Sequence, residues 1–229
     1  MIEDAQSWIP FAGSMVAFLA SHAIPARPSV RRRLVSVVGE RLYIVLYSAM
    51  SLFLLGWLFR SVGEAPYVEL WPAMDWQRLA PRVVVPAAFA LGTIGLFTAN
   101  PLSLSANRRE ADDSAASILG VTRHPVLWAL ALWAAAHMVP NGDVAHVVLF
   151  GTLLALCLAG MAMMDRRAAK RLGQDRWNEL AARRPLMPFS HPRSLNWPSR
   201  RDFLLGLVGL LLAMGAALLH EAIIGVPAA

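Results

Sequence analysis

The sequence predicts an all-α fold, a polytopic membrane helical bundle with about six transmembrane helices, and three observations carry that prediction. The first is composition: of 229 residues, 57% are hydrophobic and only 16% charged, where soluble domains carry roughly 25% charged residues. The second is a series of long apolar runs separated by polar connections rich in arginine, tryptophan, proline and glycine. The third is the placement of positive charge. All but Arg60, Arg78 and Arg82 of the 21 Lys and Arg residues fall in the first, third and fifth connections. By the positive-inside rule those connections face the cytoplasm and both termini face the periplasm. The net charge of +6 is therefore a topology signal, and nucleic acid is not called for as a partner.

The first span covers about Trp8 to Pro25 and ends in Ser21-His22-Ala23-Ile24-Pro25. Its preceding residues, Met1-Ile2-Glu3-Asp4, are acidic where a secretory signal begins with positive charge, so the segment is expected to be retained. A charged loop, Arg27 to Arg41, holds Arg31-Arg32-Arg33 and Gly39-Glu40-Arg41. The second span, about Leu42 to Phe59, has Tyr43 and Tyr47 one turn apart. A connection carrying Glu64, Glu69, Trp71, Asp75 and Trp76 resembles an interfacial aromatic belt.

The third span, about Val83 to Phe97, contains Pro86, Gly92 and Gly95, which neighbouring membrane helices make tolerable. Asn107 to Arg123 reads as a polar connection. The fourth span runs from Pro125 to about Pro140. It is shorter than the roughly 20 residues that cross ~30 Å of hydrocarbon. Asn141-Gly142-Asp143 is a turn signal, so the fifth span, about Val144 to Met164, returns antiparallel to the fourth. Asp165-Arg166-Arg167 closes it. Ala168 to Asp202 is the longest soluble stretch, helical at first (Leu172, Trp177, Leu180) and Pro-rich from Pro185. In the sixth span, Phe203 to Ile224, Gly209, Ala213 and Ala217 stand four apart, a small-residue face for close packing.

Chemistry concentrates between Thr122 and Asp143. Arg123-His124-Pro125 forms a polar threshold at a helix start, since proline is suited to the first helical position. His137, Asn141 and Asp143 follow. Ionisable groups at membrane depth are costly and mark functional sites by default. His124 and His137 are thirteen residues apart, roughly 20 Å along a helix and about 140° around it. One planar group cannot take both as axial ligands. His22 and His124 share a depth on the same side of the membrane.

These residues resemble the NnrU family, bacterial membrane proteins associated with denitrification whose domain is shared with plant zeta-carotene isomerase. The likeness is carried by His22 with the arginine-rich loop, Gly39-Glu40 and Tyr43, Thr122-Arg123-His124-Pro125, Ala136-His137 with Asn141-Gly142-Asp143, Asp165-Arg166-Arg167 and Met187-Pro188-Phe189. A single domain over 1–229 follows, with a family core of about 8–190 and an additional C-terminal helix, about 203–224. The resemblance implies an inner-membrane protein supporting nitrite and nitric oxide metabolism, with denitrification enzymes or a hydrophobic small molecule as partners beside the lipid bilayer.

For the carotenoid branch it implies haem b, histidine ligation and cis-to-trans isomerisation of a polyene. That branch has a cysteine three residues before the histidine matching His137, where this chain has Ala134. Bis-histidine ligation needs rings on opposite sides of one plane. Shared depth favours His22 with His124, while the carotenoid branch implies His22 with His137. Arg123 or Arg166 would meet propionates, because a guanidinium matches a carboxylate bidentately. Glu40, Tyr43, Asp165 and Arg167 complete the polar candidates at that level.

Plainer readings stand beside these. His22 and His124 can be interfacial residues meeting headgroups, and Asp165 an ion-pair partner for the arginines. His146 and His220 read as structural and His191 as solvated. Arg123-His124-Pro125 also resembles isoprenylcysteine methyltransferases, although Leu127 stands where an aromatic is expected. Cys157, the only cysteine, excludes intrachain disulfides and CxxC metal sites. Nucleophile-elbow, phosphate-loop and dinucleotide motifs are absent.

Overall fold

Proline starts two of the described helices, and glycines with positive φ separate two pairs of them. In the computed structural model, residues 2–25, 27–106, 117–191, 198–226 and 228 are described. Among them the regular structure is helical, apart from one isolated bridge between Glu69 and Asp143. The chain divides into two compact units, residues 1–71 with 143–149, and residues 72–142 with 150–229.

The first unit contains α1 (Ile2–Ala23), α2 (Pro28–Val38), α3 (Glu40–Gly63) and the first residues of α7 (Val144–Leu172). Phe11, Met15 and Phe18 of α1 and Leu58 and Val62 of α3 are buried. The hydroxyls of Ser14 and Ser61, 2.6 Å apart, join the two helices as small polar residues do in membranes. The Arg27–Arg41 segment, expected to be a loop, is mostly α2. Pro28 occupies its first turn, and Val30, Leu34 and Val37 recur at helical spacing. The arginine run hid that period from a reading by charge. Helix α2 lies at 81° to the α1 stretch Trp8–Ala23. Gly39, at φ +80°, then lets the chain enter α3 from a conformation that side chains disfavour.

The second unit holds a 3₁₀ turn, Asp75–Arg78, then α4 (Leu79–Phe97), α5 (Ser117–Val121), α6 (Pro125–Met138), the rest of α7, α8 (Gln174–Ala182) and α9 (Arg200–Ile224). Helix α4 is its centre and packs against α6 and α9. A Cβ at Gly95 would lie 2.6 Å from the Pro125 ring, and one at Gly209 only 2.6 Å from the Ala90 Cα and 2.7 Å from the Phe89 carbonyl. Only glycine admits these crossings, and the Gly209–Ala213 part of the expected small-residue face is buried. Gly151 lies beside Met138 and Gly160 beside Leu127, so α7 returns antiparallel to α6.

Among the described residues four stretches are long and apolar enough to cross a membrane, Glu40–Gly63, Asp75–Phe97, Val144–Leu172 and Arg200–Ile224, and the bent pair α1–α2 would make a fifth. Helix α6, with 14 residues, spans roughly 21 Å and is too short by that measure. Apolar helices thus stand at all six expected places, while four or five qualify as spans. Helix α7 also runs past the expected end at Met164 to Leu172. Its extension is held by a small cluster of Leu102, Ala168 and Leu180 with Leu172 and Trp177 packed on it. The connection expected from Asn107 lies outside the described residues as far as 116, as do residues 192–197 of the Pro-rich stretch.

Candidate functional site

The densest polar arrangement is in the second unit, where the start of α6 meets the middle of α7. Asp165 is its hub. Arg123 donates from Nε to both carboxylate oxygens, at 3.0 and 3.1 Å, and from Nη2 at 2.5 Å. His124 Nε2 lies 3.0 Å from the other side of the same carboxylate. The His124 Nδ1 lies 2.7 Å from the Ser103 hydroxyl. A carboxylate accepts only, so His124 donates from Nε2 and, as the neutral ring, accepts the Ser103 proton at Nδ1. Complete burial pulls the His124 imidazole below the ordinary histidine range, against the opposing pull of Asp165.

Backbone carbonyls hold this hub in place. Arg123 Nη1 donates to Arg184 O at 3.2 Å, the Arg123 N–H to Pro185 O at 2.8 Å, and Thr122 Oγ1 to Leu186 O at 2.9 Å. Trp128 Nε1 reaches the same Leu186 carbonyl at 2.9 Å. Asn100 Nδ2 donates to Arg123 O at 2.9 Å, and its Oδ1 accepts from Leu102 N at 3.0 Å. The Arg123 guanidinium also stands 5.9 Å over the Trp177 ring, within cation–π range. The segment after α8 is therefore tied to the entrance of α6 by hydrogen bonds that satisfy buried backbone groups.

At the other end of α6 the arrangement is open. His137 Nδ1 donates to Trp133 O at 2.8 Å, and its ring stacks on Phe150 with 5.3 Å between centroids. His220 of α9 donates from Nδ1 to Val226 O at 2.7 Å. Neither Nε2 has a hydrogen-bond partner among the described residues. Both histidines line a cavity of about 570 Å³ together with Arg78, Arg82, Asn141, Phe89 and Trp133. Asn141 donates to His137 O at 2.7 Å. Arg78 and Arg82 are exposed and pair with no carboxylate among the described residues.

The remaining candidates lie in the first unit. His22 is half-buried and donates from Nδ1 to Phe18 O at 2.8 Å, with its ring 6.1 Å from Tyr47. Tyr43 stacks on Tyr47 at 5.9 Å and donates to Pro25 O at 3.2 Å. Glu40 pairs with Arg31 at 2.9 Å, whose guanidinium lies 5.5 Å from the Tyr43 ring centroid. Asp143 accepts from His146, from the backbone N–H at 3.2 Å and from Nδ1 at 2.7 Å, and so begins α7. In the second unit Arg166 and Arg167 are exposed on α7.

The structure thus brings Arg123, His124 and Asp165 together, and His137 with Asn141. It adds Ser103 and Asn100, which the sequence reading does not name, and gives a new place to His220, which reads from sequence as structural, and to Arg78 and Arg82. The Asn100-Pro101 pair is a turn signal and was a usable clue to a built loop. From sequence, Arg78 and Arg82 carry a topology signal alone.

A family model described as NnrU protein matches residues 10–228, through α9. No curated protein and no solved structure matches the chain.

Proposed function

Because this chain belongs to the NnrU family over nearly its whole length, we propose that it is a haem b-binding membrane protein that supports nitrite and nitric oxide reduction. We assign His137 as the iron ligand. One observation carries the assignment: His137 and His220 each anchor Nδ1 on a carbonyl, keep Nε2 without a partner among the described residues, and line one cavity with two arginines. Metal-ligating histidines commonly hold the other ring nitrogen on such an acceptor, which fixes tautomer and orientation.

The donor set fits the group. His137 and His220 would supply imidazole nitrogens, Arg78 and Arg82 would meet propionates, and Val85, Phe89 and Trp133 offer apolar walls. Bound haem supplies an iron whose potential and reactivity are set by its ligands and their surroundings. The protein's own part is to orient the rings, through Trp133 O and Val226 O, and to present positive charge at the rim. His124 fits this role less well, since both of its nitrogens are engaged by Ser103 and Asp165. His22 keeps an uncommitted Nε2 within the first unit.

The arginine distribution supports an inner-membrane orientation with the Arg123 end of α6 at the cytoplasm. The test is an absorption spectrum of the protein purified in mild detergent with haem supplied during growth. A Soret band lost in both His137→Ala and His220→Ala, and kept in His124→Gln, is the expected result. Colourless wild-type protein under haem-replete growth would overturn the reading.

A further inference from the structure

The pocket of about 520 Å³ beside the hub, between the Asn100–Ser105 turn and α7, is used by none of the chemistry above. Its rim carries Arg167 and Arg171, one turn apart on α7, and its walls include Leu102, Leu104, Met164 and Leu172. Among the described residues no carboxylate lines it. Elsewhere among the described residues Arg31, Arg60, Arg123 and Arg176 each pair with an acid. Arg171 instead donates to the Pro101 carbonyl, and Arg167 has no partner among the described residues. Like charges four apart on a helix repel, so this pair is destabilising until an anion lies between its members.

The turn facing them is rigid. Asn100 ties it to Arg123 O, Ser103 to His124, and Ser105 Oγ to Thr98 O at 2.5 Å. A ligand entering here meets a wall already held in position, which lowers the entropy lost on binding. Arginine suits a phosphate because its planar fork donates two parallel hydrogen bonds. The four apolar wall residues suit the glycerol and acyl portion that follows such a headgroup. Ser103, whose proton goes to His124, offers lone pairs to a headgroup hydroxyl.

We propose that this pocket binds the phosphate of an anionic membrane phospholipid, gripped by Arg167 and Arg171 against the Asn100–Ser105 turn. The site is separate from the His137 cavity and stands whether or not haem binds there. Free phosphate shares the ligand chemistry but leaves the apolar wall uncovered, and the experiment separates the two.

Purified full-length protein in a non-ionic detergent is titrated with phosphatidylglycerol and read by native mass spectrometry. The expected result is one tightly held lipid, with affinity falling about tenfold, as for loss of a charge-assisted contact, in Arg167→Gln/Arg171→Gln. The control Lys170→Gln/Arg200→Gln removes the same charge outside the pocket and should retain the lipid. Arg167→Gln alone, which leaves the Arg171–Pro101 contact intact, is the variant to read if the double variant unfolds. Equal retention by pocket and control variants would overturn the proposal. So would competition by inorganic phosphate at millimolar concentration with no lipid adduct, which reassigns the pocket to a free anion.

Discussion

His124 and His137 stand at opposite ends of α6, and the two ends are built on opposite principles. At the first, every ring nitrogen has a partner: Ser103 on one side and Asp165, shared with Arg123, on the other. At the second, each histidine has one nitrogen anchored, the other without a hydrogen-bond partner among the described residues, and both rings line a cavity. A saturated buried network rigidifies, because breaking any bond in it leaves a costly unpaired group. An unsaturated site with room beside it is arranged to receive something. The same side chain therefore serves as a fastener at one end of a helix and as a candidate ligand at the other.

The strongest way to break this contrast is Asp165→Ala. Removing one partner of a buried ion pair costs about 3–5 kcal/mol, and here two donors, Arg123 and His124, lose their acceptor together. Loss of the folded fraction in detergent, measured by size-exclusion chromatography with thermal challenge, is expected. An unchanged melting temperature would mean the hub is not a fastener.

Gly209→Val tests the cavity side through packing alone. A Cβ there meets the α4 backbone, and overpacking of this kind costs about 1–3 kcal/mol. The expected outcome is a lowered melting temperature together with weakened cofactor retention, because α4 and α9 both wall the His137 cavity. Ser103→Ala should cost about 1–2 kcal/mol by leaving His124 Nδ1 without its donor. His137→Gln, by contrast, should change stability by less than about 1 kcal/mol, while removing any Soret band. Equal destabilisation by these two would erase the distinction between the ends of α6.

The smallest effect is one of pH. His124, just before the apolar part of α6, has its pKa lowered by burial, with Asp165 opposing and Arg123 assisting. A histidine held neutral in the fold contributes stability that is complete above its unfolded value of about 6.5. That stability is lost as pH falls through the lower folded value. The melting temperature should fall between pH 7 and pH 5, and by less in His124→Gln. A fall of the same size in the variant would assign the dependence to another group.

Much of this was legible in the residues because membrane helices announce themselves by unbroken apolar runs. The cluster of Arg123 with Asp165 was legible too, since both flank helix ends on the same side. Three things were not. The α2 helix was concealed because three consecutive arginines read as a loop while its apolar positions keep a helical period. Ser103 was invisible because its link to His124 is purely tertiary. The meeting of His137 of α6 and His220 of α9 on one cavity is tertiary too, and a histidine near a chain end carries no signal of its neighbour. Depth along a helix, the one geometric tool available from sequence, ranks candidates by level and says nothing about which nitrogen is already taken.

The Asp165 carboxylate also sets the axial register of α7 against α6. A slide of a full helical turn, ~5.4 Å, would pull the carboxylate out of reach of both Arg123 and His124 at once. Slippage of that size between these helices is thereby opposed by both contacts at a single point.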